Sequence, residues 1–225
     1  MIHSIINCII TTIAIAMSPM VLQAEAPKDG NFISAGVLAY STDPATNETV
    51  LLLGREFRGE NELKYCPGEK WKSIGGTRDN DETTIQTASR EFDEETGVDK
   101  ETGKGGYGKN YILNRINPKL RIKHPRHASY IYLVEVDYKK ISDFPTQRSE
   151  LKQLAWVPAA VLYNAIDSAK KKHPGRFSDN MTKARCYAEL PEQYTGEHRM
   201  LYPPLVDDLE NDTLFRNALK VALAK

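Results

Sequence analysis

Charged residues are missing from the first 24 positions of this 225-residue chain: no Asp, Glu, Lys or Arg precedes Glu25. The whole chain has no surplus of either sign either, with 30 basic and 30 acidic side chains. It therefore has no strong electrostatic pull toward nucleic acid or an anionic membrane, and any basic binding surface must be local. Cysteine is scarce, at three residues. His124 and His127 have no cysteine partners, which argues against a zinc site and leaves them as part of a polar loop. Repeats are absent. A P-loop is nearly matched by residues 103–110 (GKGGYGKN), but Asn110 stands where a hydroxyl is needed and the segment follows a helix instead of a strand. It reads better as a flexible loop rimming a site.

The uncharged N-terminal stretch is dominated by Ile, Ala, Met and Val and looks like a secretory signal. Ala24-Glu25-Ala26 supplies an A-x-A site; Pro27 would follow the cut poorly, so cleavage after Ala24 is an alternative. The positive region that normally precedes such a stretch is weak. Because residues 4–22 approach the ~18–20 apolar residues needed to span a bilayer, an uncleaved membrane anchor is the other reading. The expectation is an exported protein, periplasmic or secreted, or else a membrane-anchored one. Residues 1–26 form this segment, and residues 27–225 suit a single domain with a C-terminal helical extension. Cys8 lacks a lipobox context and would leave with a cleaved signal. Cys66 and Cys186 then either pair, as an oxidising compartment permits, or stay free and partly buried.

The strongest feature is residues 76–98, GTRDNDETTIQTASREFDEETGV. Asp79, Asn80 and Asp81 offer N-caps, Asp81 and Glu82 suit the positive end of a helix, and Gly97 suits its stop. Ile85, Ala88 and Phe92 recur at the i, i+3, i+7 spacing of a buried stripe. At roughly 100° per residue, Glu91, Glu94 and Glu95 fall within an arc of about 100° on a neighbouring face. Carboxylates so placed repel one another and oppose the helix dipole, so something positive belongs there. A hard divalent cation with oxygen ligands is the natural candidate. Arg90 can pair with Glu94 or Glu82 and hold the cluster in register.

Around this helix, residues 32–40 and 49–56 read as strands joined by a turn at Asp43-Pro44. Residues 71–74 read as a short strand, 111–122 as one or two edge strands broken by Pro118, and 130–137 as a clearly alternating strand. Residues 154–157 suggest a last strand, 158–171 a helix with proline in its first turn, and 214–224 a C-terminal helix.

The fixed positions Gly76, Glu82, Arg90, Glu91, Phe92, Glu94, Glu95, Gly97 and Val98 match G-x5-E-x7-R-E-U-x-E-E-x-G-U, where U is a bulky apolar residue. This resembles the Nudix box of Mg-dependent pyrophosphohydrolases, which act on nucleoside diphosphates linked to another moiety. The resemblance implies an α/β fold, an α/β/α sandwich with a mixed central sheet. It implies metal binding by Glu91, Glu94, Glu95 and the Gly75 carbonyl, with Mg2+ as the ion and Mn2+ possible. Glu91 would be a ligand or the base that activates water; Gly76 would permit the tight loop; Glu82 and Arg90 would support the carboxylates. Glu150 is the candidate for a further catalytic acid, with Glu135 as the fallback. Arg55, Arg58, Lys70 and Lys72 lie just upstream and could clamp phosphates, and Trp71 and Tyr107 could stack on a base. The implied partner is a small nucleotide diphosphate substrate, with no clear nucleic-acid surface. The marks of NADH, coenzyme A and ADP-ribose hydrolases are not seen. A non-catalytic nucleotide-binding module is the alternative, although such proteins typically lose box carboxylates and this chain keeps all of them. A Nudix-type isomerase is disfavoured because no cysteine lies beside the box.

Overall fold

The computed structural model describes residues 30–59, 66–97, 105–124, 128–144, 151–172, 187–211 and 217. The readings made for residues 1–26, for Glu150, for Cys186 and for nearly all of the 214–224 helix fall outside these residues. Among the described residues, no helix is long and apolar enough to cross a membrane.

Seven strands form one mixed sheet: β1 (Ser34–Thr42), β2 (Thr49–Arg58), β3 (Gly68–Lys72), β4 (Ile74–Thr77), β5 (Arg121–Lys123), β6 (Ser129–Glu135) and β7 (Gln153–Pro158). The main path runs β3-β2-β1-β6-β5, with β4 joined to β1 and β7 to β2. Strands β1 and β6 are parallel; the other pairs are antiparallel. Among the described residues, five helices accompany the sheet: α1 (Thr84–Thr96), α2 (Lys109–Leu113), α3 (Ala159–Lys172), α4 (Glu192–Thr195) and α5 (Pro203–Asn211).

Alternation along the strands decides which helix covers which face. In β1, Val37 and Ala39 join the cluster that buries Ala88 and Phe92 of α1, while Leu38 between them joins Leu162 and Ile166 of α3. The same split separates Leu52 from Leu51 and Leu53 in β2, and Tyr132 and Val134 from Leu133 in β6. The result is the expected three-layer sandwich, with α1 on one face and α3 and α5 on the other. Each of these fully buried large side chains contributes roughly 1.5–3 kcal/mol.

Residues 111–122, expected to be extended, are not a strand until Arg121. Tyr111 and Ile112 belong to α2, and Ile112 is fully buried against the α1 face. Tyr107 is buried in the same cluster, its hydroxyl donating to the Asp137 carbonyl, so Tyr107 is not open to a base, whereas Lys109 and Asn110 at the end of the glycine-rich segment are exposed. Trp71 is likewise fully buried, and its indole N–H donates to the His198 carbonyl at 2.5 Å.

Candidate functional site

The sequence from Lys72 to Thr96 carries the chain from the end of β3, across a break at Ser73, through β4 and into α1. Gly75 pairs with Gly36 of β1 so closely that a Cβ on Gly75 would lie 2.3 Å from the Gly36 Cα and 2.6 Å from the Ala35 carbonyl oxygen. A Cβ on Gly76 would meet a side chain instead, the Glu91 carboxylate, at 2.3 Å. The absent side chain of Gly76 is thus what lets the helix carboxylate rest on the loop.

Helix α1 is fixed by a different cap from the one expected at positions 79–81. Thr83 is the N-cap: its hydroxyl accepts from the Gln86 amide at 3.3 Å, while the Gln86 side chain accepts from the Thr83 amide at 2.8 Å. This reciprocal capping box satisfies two donors at once. Asn80 instead takes the left-handed conformation, φ 41°, in the preceding turn. At the other end, Gly97 is extended, not left-handed.

Arg90 is the electrostatic hub of the site. Its guanidinium donates to Glu82 at 2.9 and 3.1 Å, to Glu91 at 2.9 Å, to Glu94 at 3.0 Å and to the Thr77 carbonyl at 2.8 Å. The hydrogen bonds to Glu82, followed by the charge of Glu91, push the Arg90 pKa above its already high value. For Glu82, burial alone would raise the pKa, but donation from Arg90, from the Thr87 hydroxyl at 2.9 Å and from the Asp79 amide at 3.2 Å outweighs it. Its carboxyl is held below the usual range.

The remaining predicted residues divide between the site and its surroundings. Glu95 turns inward, 5% exposed, and accepts from the Leu151 amide at 3.3 Å. Glu94 is largely exposed. Lys72 donates to the Gly75 carbonyl at 3.1 Å and pairs with Glu56, which also binds Arg58 at 2.7 Å. Arg55 lies apart from these, paired with Glu69 at 2.9 Å against the Trp71 ring. Lys70 is buried, which lowers its pKa, and its ammonium donates to the Pro67 and Glu69 carbonyls. Glu135 accepts from Tyr40 at the far end of β6, six positions or roughly 20 Å from Ser129 where the cleft described below lies.

The donors collected here, the Glu91 and Glu94 carboxylates and the Gly75 carbonyl, are all oxygens, which is the chemistry a hard divalent cation such as Mg2+ or Mn2+ requires. The donor set fits such an ion. Cationic groups of the chain itself, Arg90 and Lys72, meet these oxygens, and no group of three or more His, Cys, Asp or Glu poised to hold a metal occurs among the described residues.

A cleft of about 490 Å3 opens beside the glycine loop. Gly36, Gly75, Gly76, Arg58 and Lys72 line it together with His124, Tyr202, Asp207 and Asp208, and the Arg58 guanidinium lies 5.4 Å from the centre of the Tyr202 ring. Tyr202, Asp207 and Asp208 escaped the reading of the sequence, which took His124 as part of a polar loop. His124 is buried rather than looped into solvent, with its Nε2 3.9 Å from Asp208. The available signal was Pro203-Pro204 ahead of Leu205, Val206 and Leu209, a proline-led start to an amphipathic helix.

The model of the NUDIX domain matches residues 31–178. No curated protein gives a significant match. Among solved structures, a MutT/nudix family protein from Enterococcus faecalis is 16% identical over 60% of this chain, with a TM-score of 0.38; the match spans 47% of that protein's length, about half. An Ap4A hydrolase from C. elegans is 18% identical, covering 61% of this chain and 83% of that one with a TM-score of 0.37. The NUDIX domain of NrtR from Shewanella oneidensis, solved with ADP ribose, is 17% identical over 60% of this chain and 77% of its own, with a TM-score of 0.37. With the family model matching well over half of its residues and a complete box on α1, the chain belongs to the Nudix family.

Proposed function

We propose that the protein is a pyrophosphohydrolase that cuts the diphosphate bond of a nucleoside diphosphate linked to another moiety. The observation that carries this reading is the packing of Glu91 on Gly76, a glycine that itself lines the cleft together with Lys72 and Arg58. Glu91, Glu94 and the Gly75 carbonyl are the atoms that would hold Mg2+. When bound, the ion supplies charge neutralisation for the diphosphate and acidifies water. Arg58 and Lys72 attract the diphosphate from the opposite side, Lys72 while steadying the Gly75 carbonyl. Arg90 orients Glu91, Glu94 and Glu82 together, so the carboxylates arrive in place without rearrangement. Glu91 accepts the proton from the attacking water, the new P–O bond forms in line, and the P–O bond to the leaving phosphate breaks.

Phosphate or nucleoside monophosphate release from a panel of nucleotide diphosphates, with and without Mg2+, tests this. Glu94→Gln is expected to lower Mg-dependent kcat by about 100-fold or more with an unchanged unfolding midpoint. Turnover within a few-fold of the parent would overturn the assignment, and tight nucleotide binding without any release would favour the non-catalytic module. The reading includes export through residues 1–26. Cys66 is disulfide-bonded, which supports an oxidising compartment. The mass of the mature protein checks this: retention of residue 1 in a soluble, full-length chain would refute it.

A further inference from the structure

Resting on the diphosphate-cutting reading, we propose that Glu56 is the positioning residue of the phosphate clamp: its carboxylate holds Lys72 and Arg58 side by side toward the cleft. Strand pairing puts Lys70 directly opposite Glu56, and alternation puts Arg58 two places along β2 on the same face. The carboxylate nevertheless passes over Lys70, whose ammonium turns to the Pro67 and Glu69 carbonyls. It pairs instead with Lys72 on the diagonal and with Arg58 at 2.7 Å. Gly54 stands opposite Lys72, so the facing residue of β2 has no side chain to block that diagonal. Both partners line the cleft, whereas Glu56 and Lys70 do not.

The triplet is largely withdrawn from water, the side chains of Lys72, Glu56 and Arg58 being 10%, 12% and 22% exposed. Charge pairing is stronger in such surroundings, and an unmatched charge costs more. One carboxylate between two cations leaves one positive charge over, and that surplus faces the cleft, where an anionic oxygen of a ligand neutralises it. Two further contacts give the cations direction. Lys72 donates to the Gly75 carbonyl at 3.1 Å, and Arg58 lies over the Tyr202 ring. Glu56 thus ties a cation beside the glycine loop to a cation beside the segment that leads into α5, and sets the distance between them.

The test reads KM against kcat for the best-cleaved nucleotide diphosphate of the panel, with calorimetric binding of α,β-methylene ADP as a second measure, on the full-length protein. Glu56→Gln keeps the shape and drops the charge. It is expected to raise KM and the Kd of the analogue about tenfold or more, with kcat within about threefold. Lys72→Met should raise both in the parent, yet add less than about twofold on top of Glu56→Gln, because the clamp is already undone. Losses that multiply, or an unchanged KM in folded Glu56→Gln, overturn the proposal while hydrolysis stands. Should Glu56→Gln not fold, Glu56→Asp decides by the same readouts, since it keeps the charge and draws the carboxylate back by one methylene: KM at least about threefold higher supports the proposal, and a parent-like KM overturns it. If the parent cleaves no diphosphate, the hydrolytic reading alone fails. The Kd of the analogue then settles the clamp: weaker binding in the variants keeps it, and equal binding, or none by the parent, overturns it.

Discussion

Two adjacent glycines should respond to the same substitution in opposite ways. In Gly76→Ala the new methyl would meet the Glu91 carboxylate first, with the nearest oxygen at 2.3 Å, and ordinary contact begins at 3.4 Å. The carboxylate must therefore retreat by about 1 Å, which a flexible side chain can do at small cost in stability. A displacement of that size at a reacting group costs about 100-fold in rate. In Gly75→Ala the methyl would meet backbone, the Gly36 Cα at 2.3 Å and the Ala35 carbonyl oxygen at 2.6 Å, inside a paired strand that cannot yield without unzipping. Overpacking there costs about 3 kcal/mol or more, equivalent to a fall of roughly 6–12 °C in a protein of this size. Circular dichroism melts and steady-state kinetics on both variants separate the effects. The expected result is Gly76→Ala with a nearly native Tm and kcat down about 100-fold, and Gly75→Ala with a clearly lowered Tm. A native kcat in Gly76→Ala, or equal losses of Tm in the two, would refute the assignment of Glu91 to that gap.

Arg90→Lys keeps the charge but loses the planar fork that reaches Glu82, Glu91, Glu94 and the Thr77 carbonyl at once, so stability should fall by about 2–3 kcal/mol; urea denaturation within 0.5 kcal/mol of the parent (about the scatter for an ordinary surface change) would show that the fork is dispensable. Glu82 titrates below its ordinary value in the folded protein. Its ionised contacts therefore stabilise the fold above about pH 4.5, and that contribution is lost as pH falls through the lower folded value. The stability gap between wild type and Glu82→Gln should accordingly be widest near neutrality and close as the pH falls through the lowered folded value, whereas a gap independent of pH would contradict the pairing with Arg90.

What could be read from the chain depended on whether a residue's role was local. The apolar spacing of Ala88 and Phe92 and the alternation in residues 130–137 are local, and both sit in the core as expected. Thr83 was obscured because three good capping residues precede it, and only the turn through Asn80 decides among them. Tyr111 and Ile112 favour strands on their own, yet burial against α1 makes them helical: packing overrides propensity. Tyr107 stands among glycines and reads as loop, while its ring lies beside Phe92 and Phe144. The acidic lining of the cleft could not be read at all. Asp207 and Asp208 come to line one cleft with His124 and Lys72 only through the folded sheet, and no short-range pattern records that.

Strand β3 lies at one end of the sheet path, where a row of unsatisfied amides and carbonyls would invite a foreign strand. The chain closes this edge itself: the Trp71 amide donates to the Met200 carbonyl at 3.0 Å, and the Tyr202 amide donates to the Trp71 carbonyl at 2.8 Å. The segment that leads into α5 is therefore also a guard against self-association. A protease that trimmed the chain ahead of residue 200 would uncover an adhesive edge, and the first symptom would be turbidity.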